Sequence, residues 1–233
     1  MTDTQRLSKR ITELYQCSRR EAELLIEGGW VLVNGEVIDE PQHQVGNETI
    51  ALHPQARAEP VPPMTLLLHL PAGASVENTL QNITAASHMA EDKSGIRLLR
   101  RHFHRQEGVL ELQAGMYGLQ VFTQDWKVAR KLKEDGALLE QEIIVDVAAR
   151  PAADVLPVLN EGLKRWHTSA KVSWQSDTRL RFALKAPQAK QLRELCGSAG
   201  LDVLGMKRLR IGSVGLAGLP AGQWRYLGLR ERF

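Results

Sequence analysis

The sequence predicts an α+β protein. A small helix–hairpin unit occupies residues 1–53, a linker 54–63, and a larger unit 64–233 with a mostly antiparallel mixed sheet and flanking helices. Three observations carry this expectation. Apolar residues recur at helical spacing in some stretches and alternate in others. The two kinds of stretch mix without the regular β-α-β rhythm of a parallel sheet. Pro54 to Pro63 (PQARAEPVPP) holds four of the ten prolines, the composition of an extended, semi-rigid linker.

In the first unit, RLSKRITELY (6–15) places Leu7, Ile11 and Leu14 at helical spacing, with Arg6, Lys9 and Arg10 turned elsewhere. SRREAELLIEGG follows. Ser18 and Glu21 have capping-box spacing, Ala22, Leu25 and Ile26 form the buried stripe, and Gly28-Gly29 ends the helix. WVLVNGEVI alternates as a strand around Asn34-Gly35, a strong hairpin signal. Two short helices and a hairpin bury little, so this core is marginal unless a partner or the rest of the chain supports it.

In the second unit, MTLLLHL (64–70) reads as a buried strand ended by a Pro-Ala-Gly turn, and GLQVFTQD (118–125) as another strand. WKVARKLKED is a helix with Val128 and Leu132 inward, and Asp125 is placed to cap it. QEIIVDVA is a strand, ADVLPVLNEGLKRW a helix ending at Trp166, and KVSWQSD with TRLRFALKA a hairpin. AKQLRELCGSAG is a helix closed by Gly200, and GMKRLRIGSVGLAGLPAGQWRYL ends as strand, glycine-rich turns and strand. Trp126 and Trp224 are read as core or rim packing rather than base-stacking platforms.

With 43% hydrophobic and 24% charged residues, the composition is that of a soluble globular protein. Cys17 and Cys196 have no partner spacing, which disfavours a disulfide framework or thiolate metal site and suits a reducing compartment. No run approaches the roughly 20 apolar residues of a membrane span, and MTDTQRLSKR lacks a signal peptide's apolar core. A cytoplasmic monomer without membrane contact is expected. His102 and His104 alternate as on a strand, like a metal pair, but no third ligand has matching spacing. No metal or cofactor is expected.

The formal net charge of +3 does not announce a nucleic-acid binder, but its distribution does. From Lys93 to Lys133 nine Lys/Arg stand against three Asp/Glu, and Lys207 to Arg210 (KRLR) with Arg225, Arg230 and Arg232 form a second basic group. Such clusters attract polyanions in a salt-dependent way.

RLSKRI, SRREAELLIEGG and VLVNGEVI together resemble the S4-type RNA-binding domain of ribosome-associated proteins, over nearly all of residues 5–53. The resemblance implies that the two helices present basic side chains to a folded RNA, here Arg6, Lys9, Arg10, Arg19 and Arg20. Arg19 and Arg20 follow the Ser18 cap, where backbone N–H groups also face phosphate. Residues 1–53 carry only five Lys/Arg against nine Asp/Glu, so any RNA face must be strongly sided.

Behind such a domain and linker, the larger unit resembles the ribosomal-RNA pseudouridine synthases. MKRLRIGSVGLAGLPAGQWRYL resembles the family's basic strand, Arg-Ile-Gly turn and closing Gly-x-Trp-Arg segment. LPAG (70–73) resembles its first sheet motif, with Leu70 where lysine is usual. GLQVFTQD resembles the strand after its catalytic loop. The resemblance implies a base flipped into a pocket and an aspartate acting on the ribose, in a Gly-Arg-Leu-Asp segment before the Gly-Leu strand. Counting back from Gly118, Gln113 takes the aspartate position. A neutral amide is neither a base of that strength nor a carboxylate nucleophile. The tyrosine expected to pack on the base is replaced by Ile143, and the basic Gln-Val-Arg-Arg turn and helix become KAPQAKQLREL, with Glu194 for the second arginine.

The resemblance thus implies structured RNA, ribosomal or pre-ribosomal, as partner, held by the S4-type helices and by basic groups around Arg97 to Arg105 (including Arg100 and Arg101) and Lys207, Arg208 and Arg210 along the substrate cleft. It implies a catalytically degenerate member that assists ribosome assembly or maturation. Two readings stand beside this. In one the chain is a working synthase, with Glu111 or Asp125 as a displaced acid. In the other it is a protein-interaction module whose RNA affinity is vestigial.

Overall fold

The computed structural model describes residues 4–165, 169–216 and 218–233, and the helix end expected at Trp166 falls outside them. The chain divides into two compact units, Met1–Pro63 with Ile96–Arg105, and Met64–Gly95 with Gln106–Phe233.

The first unit contains β1 (Gln5–Arg6), α1 (Leu7–Tyr15), α2 (Arg19–Glu27), β2 (Val31–Val33), β3 (Glu36–Val37), β4 (Gln44–Val45) and β5 (Ile50–Leu52). Strands β3, β2 and β5 form one antiparallel sheet, and β1 pairs with β4. The capping box forms as its spacing predicts. The Glu21 N–H donates to Ser18 Oγ and the Ser18 N–H to Glu21 Oε2. Leu7, Ile11, Ala22, Leu25, Ile26 and Val31 make the core. Leu14, expected in the stripe, is 45% exposed. Chain reversal follows Tyr15 at once, with Gln16 left-handed, so the last turn of α1 projects past the core.

Residues 96–105 correct the domain assignment made from sequence. They pack on the first unit instead of remaining with the large sheet. The reason is chemical complementarity. Arg97 Nη1 donates to Gly29 O at 2.6 Å and its guanidinium lies over the Trp30 ring. The Arg100 N–H donates to Asp39 Oδ2, and its side chain pairs with Glu40 at 3.0 Å. Arg101 approaches Glu27 at 3.9 Å, and Leu99 is buried. Residues 1–63 hold six Lys/Arg against ten Asp/Glu, and 96–105 adds four arginines and no carboxylate. A small acidic core thus gains apolar cover and counter-charge together.

The second unit comprises β6 (Thr65–Leu70), β7 (Glu107–Val109), β8 (Met116–Thr123), α3 (Trp126–Glu134), β9 (Glu140–Val147), α4 (Leu156–Lys164), β10 (Lys171–Ser176), β11 (Arg179–Lys185), α5 (Ala189–Ser198), β12 (Val203–Ile211), β13 (Val214–Gly215) and β14 (Trp224–Tyr226). The strand order is β10-β11-β9-β12-β8-β6-β14, with β13 on β12 and β7 on β8. Among the described strand–strand pairings only β12 with β8 is parallel, so the sheet is mostly antiparallel as expected. All of β6 is buried, which explains its unbroken apolar run. Trp224 and Tyr226 of β14 are fully buried, whereas Trp126 is 63% exposed at the start of α3; packing was the expectation for both tryptophans, and only Trp224 meets it.

Strands β8 and β12 meet at Gly118. Its φ is +100°, and a Cβ there would lie 2.4 Å from Arg208 O. Only glycine allows that approach.

Candidate functional site

The loop from Leu110 to Gly115 enters β8 and bounds a cavity in the second unit. Two left-handed residues, Leu110 (φ 49°) and Gly115 (φ 80°), let the loop reverse direction. Gln120, buried on β8, anchors it by accepting the Leu112 N–H at 2.9 Å. These constraints present Gln113 to the start of α5. Its Nε2 donates to Pro187 O at 3.0 Å, and its Oε1 accepts the Ala189 N–H at 2.8 Å. The two bonds need a donor and an acceptor on one planar group, which an amide supplies and a carboxylate does not.

Beside this clamp lies a cavity of about 210 Å³, lined by Leu110, Glu111, Gln113, Gln141, Pro187 and Arg208 among others. Arg208 is only 3% exposed. Its Nε donates to Leu119 O at 2.8 Å and its Nη1 reaches Gln141 Oε1 at 3.4 Å. Its Nη2 is buried without a partner among the described residues. Burial lowers the guanidinium's pKa to about 9, since no carboxylate offsets the loss of water. Glu111 is the one carboxylate lining the cavity. It is exposed, and its Oε1 lies near Gly108, 2.9 Å from where a Cβ would stand. Ile143 is fully buried and in register with Arg208 and Phe182. It packs as a core aliphatic and offers neither hydroxyl nor ring. Asp125 accepts the Lys127 N–H and caps α3, as expected.

The KRLR run does not act as one basic surface. Strand alternation turns Arg208 inward to the cavity, and Lys207 to the other face of the sheet. A bulge between Arg208 and Arg210 returns Arg210 to the Lys207 side. There Arg210 pairs with Glu140 at 2.7 Å and Glu142 at 3.1 Å. Glu142 is nearly buried, which raises its pKa, but hydrogen bonds from Arg181 and Arg210 more than offset this and hold it below the usual range. On this face the Tyr117 hydroxyl donates to Asp146, which also pairs with Arg179 at 3.0 Å. Burial first, and the Asp146 carboxylate second, push the Tyr117 pKa up to about 12. Tyr117, Asp146 and Arg193 line a second cavity of about 370 Å³. The sequence offered no signal for this pair, since its members lie 29 residues apart on different strands.

In the first unit, Arg6, Lys9, Arg19 and Arg20 are exposed and Arg10 is half-buried. Lys9 and Arg10 converge on Glu13, and Arg19 and Arg20 on Glu23, so four cations share two carboxylates. Ser18 is occupied by the cap. Arg100 and Arg101, expected along the cleft, instead face Asp39, Glu40 and Glu27 of this unit. His102 and His104 do not alternate on a strand. Arg100–Phe103 forms a 3-10 turn that buries His102, and burial lowers its pKa to about 4 against the opposing effect of Asp39. Among the described residues no group of three or more His, Cys, Asp or Glu is placed to hold a metal ion, and no helix is long and apolar enough to cross a membrane.

Comparison with known proteins finds likeness in the first unit and along the whole chain. Residues 5–49 match the S4 domain. The dual-specificity RNA pseudouridine synthase RluF of Salmonella typhi is 26% identical over 236 residues, covering 97% of this chain and 77% of that protein. Ribosomal large subunit pseudouridine synthase B of Bacillus subtilis is 26% identical over 241 residues, covering 97% and 93%. A crystal structure of a pseudouridylate synthase superposes with a TM-score of 0.52 at 18% identity, covering 96% of each chain. The chain thus carries an S4 domain and is similar along nearly its whole length to RNA pseudouridine synthases. In this chain the cavity at the mouth of β8 is walled by three neutral amides, Gln113, Gln141 and Gln188, and one buried cation, Arg208. Such a set donates hydrogen bonds and binds negative charge. Apart from Glu111 at its rim, it has no group able to take up a proton as a general base.

Proposed function

We propose that this chain binds structured RNA, ribosomal RNA or a pre-ribosomal particle, and leaves uridine unmodified. It would work as a cytoplasmic monomer in ribosome assembly or maturation. The S4 match and the names of the relatives support the RNA partner. The observation that carries the non-catalytic half is the Gln113 clamp. The position assigned by resemblance to the reactive aspartate holds an amide whose two ends are engaged in bracing α5. Ile143, at the position assigned to the stacking tyrosine, is sealed in the core. RNA would dock on Arg6 at the end of β1, on Lys9 and the half-buried Arg10 of α1, and on Arg19 and Arg20 of α2.

The test is to map pseudouridine, by chemical adduct and primer extension, in RNA from cells lacking the chain. The expected result is an unchanged set of sites. One site lost on deletion and restored by the wild-type chain would overturn the proposal.

A second reading, a working synthase with a displaced acid, rests on one observation: Glu111 lines the same cavity as the unpartnered Arg208 Nη2. On that reading the lost site returns with wild type but not with Glu111→Gln.

A further inference from the structure

Burying a guanidinium with one donor unsatisfied is costly, and such groups in folded proteins find a partner in nearly every case. Arg208 is held in that position by its Nε bond to Leu119 O and by the tight β8–β12 approach at Gly118. It cannot swing out to solvent without breaking both. Arg208 lines a cavity large enough for a small ion, and its Nη2 is buried with no partner among the described residues. The other polar walls are the Gln113 and Gln141 amides and Gln188, which precedes the first turn of the ten-residue α5. Helix α5 has no side-chain cap from Gln188; Gln113 Oε1 takes its Ala189 N–H, and the rest of its first turn leaves a partial positive charge at this end. Glu111, the one opposing charge, sits at the exposed rim.

We propose that this cavity is an oxyanion site, in which the Arg208 guanidinium, the Gln141 amide and the start of α5 bind a phosphate-class anion beside the Gln113 clamp. The chemistry fits a tetrahedral anion because one buried cation supplies the charge and several neutral donors converge around it. This site is separate from the S4-type helices. The inference rests on the cavity and not on the proposed RNA binding, so either can fail alone.

The test is calorimetric titration of the full chain with inorganic phosphate at constant ionic strength, with uridine 5′-monophosphate in a parallel arm. Saturable binding of inorganic phosphate is expected. Binding that appears only with the monophosphate also supports the site and names a nucleotide as the anion's source. Arg208→Met removes the cation. Because that variant also strips the partners of Leu119 O and Gln141 Oε1, Gln113→Glu serves as the second: it places a carboxylate in the same cavity and should weaken binding about tenfold or more, with a cooperative melting transition lowered by the loss of the bond to Pro187 O. Glu111→Gln should strengthen binding. No saturable binding of either ligand at millimolar concentration overturns the proposal. So does binding that Gln113→Glu leaves unchanged, which would place the anion on the basic surface. Binding that appears only in Glu111→Gln would show Glu111 filling the cavity itself, and would also overturn it.

Discussion

Replacing Gln113 with methionine tests whether the amide is a clamp. Methionine nearly matches glutamine in length and volume, so no large void confuses the result. What disappears is the bond to Pro187 O at 3.0 Å and the bond from the Ala189 N–H at 2.8 Å. Pro187 and Ala189 are both buried, so water does not easily replace the lost partner. A net hydrogen bond is worth about 1 kcal/mol, and a buried group left unsatisfied costs about 1–3 kcal/mol. Two such groups predict a loss of about 2–6 kcal/mol. For a unit of this size each kcal/mol moves Tm by roughly 2–4 °C. The Gln113→Met protein should therefore melt roughly 4–24 °C below wild type in a circular dichroism scan, with a matching shift in the urea midpoint. A loss below about 0.5 kcal/mol, the range of neutral surface changes, would refute the clamp and remove the observation on which the non-catalytic reading stands.

Three further outcomes are expected. The double change Arg19→Ala and Arg20→Ala should weaken binding of structured RNA across sequences and lower the salt slope by about 2; unchanged affinity in a filter assay would sink the docking assignment. His102 is held neutral by burial, its pKa lowered to about 4. Because the folded value lies below the unfolded one of about 6.5, its contribution is fully present above pH 6.5 and is lost as pH falls toward 4, by up to about 3 kcal/mol. Melting of the first unit should follow that window, and His102→Gln should flatten it. Gly118→Ala should cost about 2 kcal/mol or more, because its Cβ would meet Arg208 O at 2.4 Å with φ at +100°; a variant as stable as wild type would show that β8 and β12 can separate.

Several features could be read directly from neighbouring residues. Ser18 and Glu21 announce a capping box because both partners lie within one helical turn. Asn34-Gly35 marks a hairpin because few residues accept left-handed backbone, and both have positive φ here. The unbroken apolar run of β6 marked a buried strand, and the spacing of WKVARKLKED a helix capped by Asp125. Even the oddity at Gln113 was visible, as an amide where the resemblance called for an acid.

Other features needed the tertiary fold, because they depend on which surface a residue meets. The basic run 97–105 has the composition of an RNA contact, yet its partners are Gly29, Trp30, Asp39 and Glu40, about 60 residues away. KRLR looked like one patch. Alternation and a bulge divide it into Arg208, buried without a full set of partners, and Lys207 with Arg210 on the opposite face. Tyr117 and Asp146 become a pair only when β8, β12 and β9 lie side by side. Local conformational preferences act over a few residues and leave their mark in spacing. Charge pairing and burial act across the folded core, and for these residues they were settled only when the strands took their places.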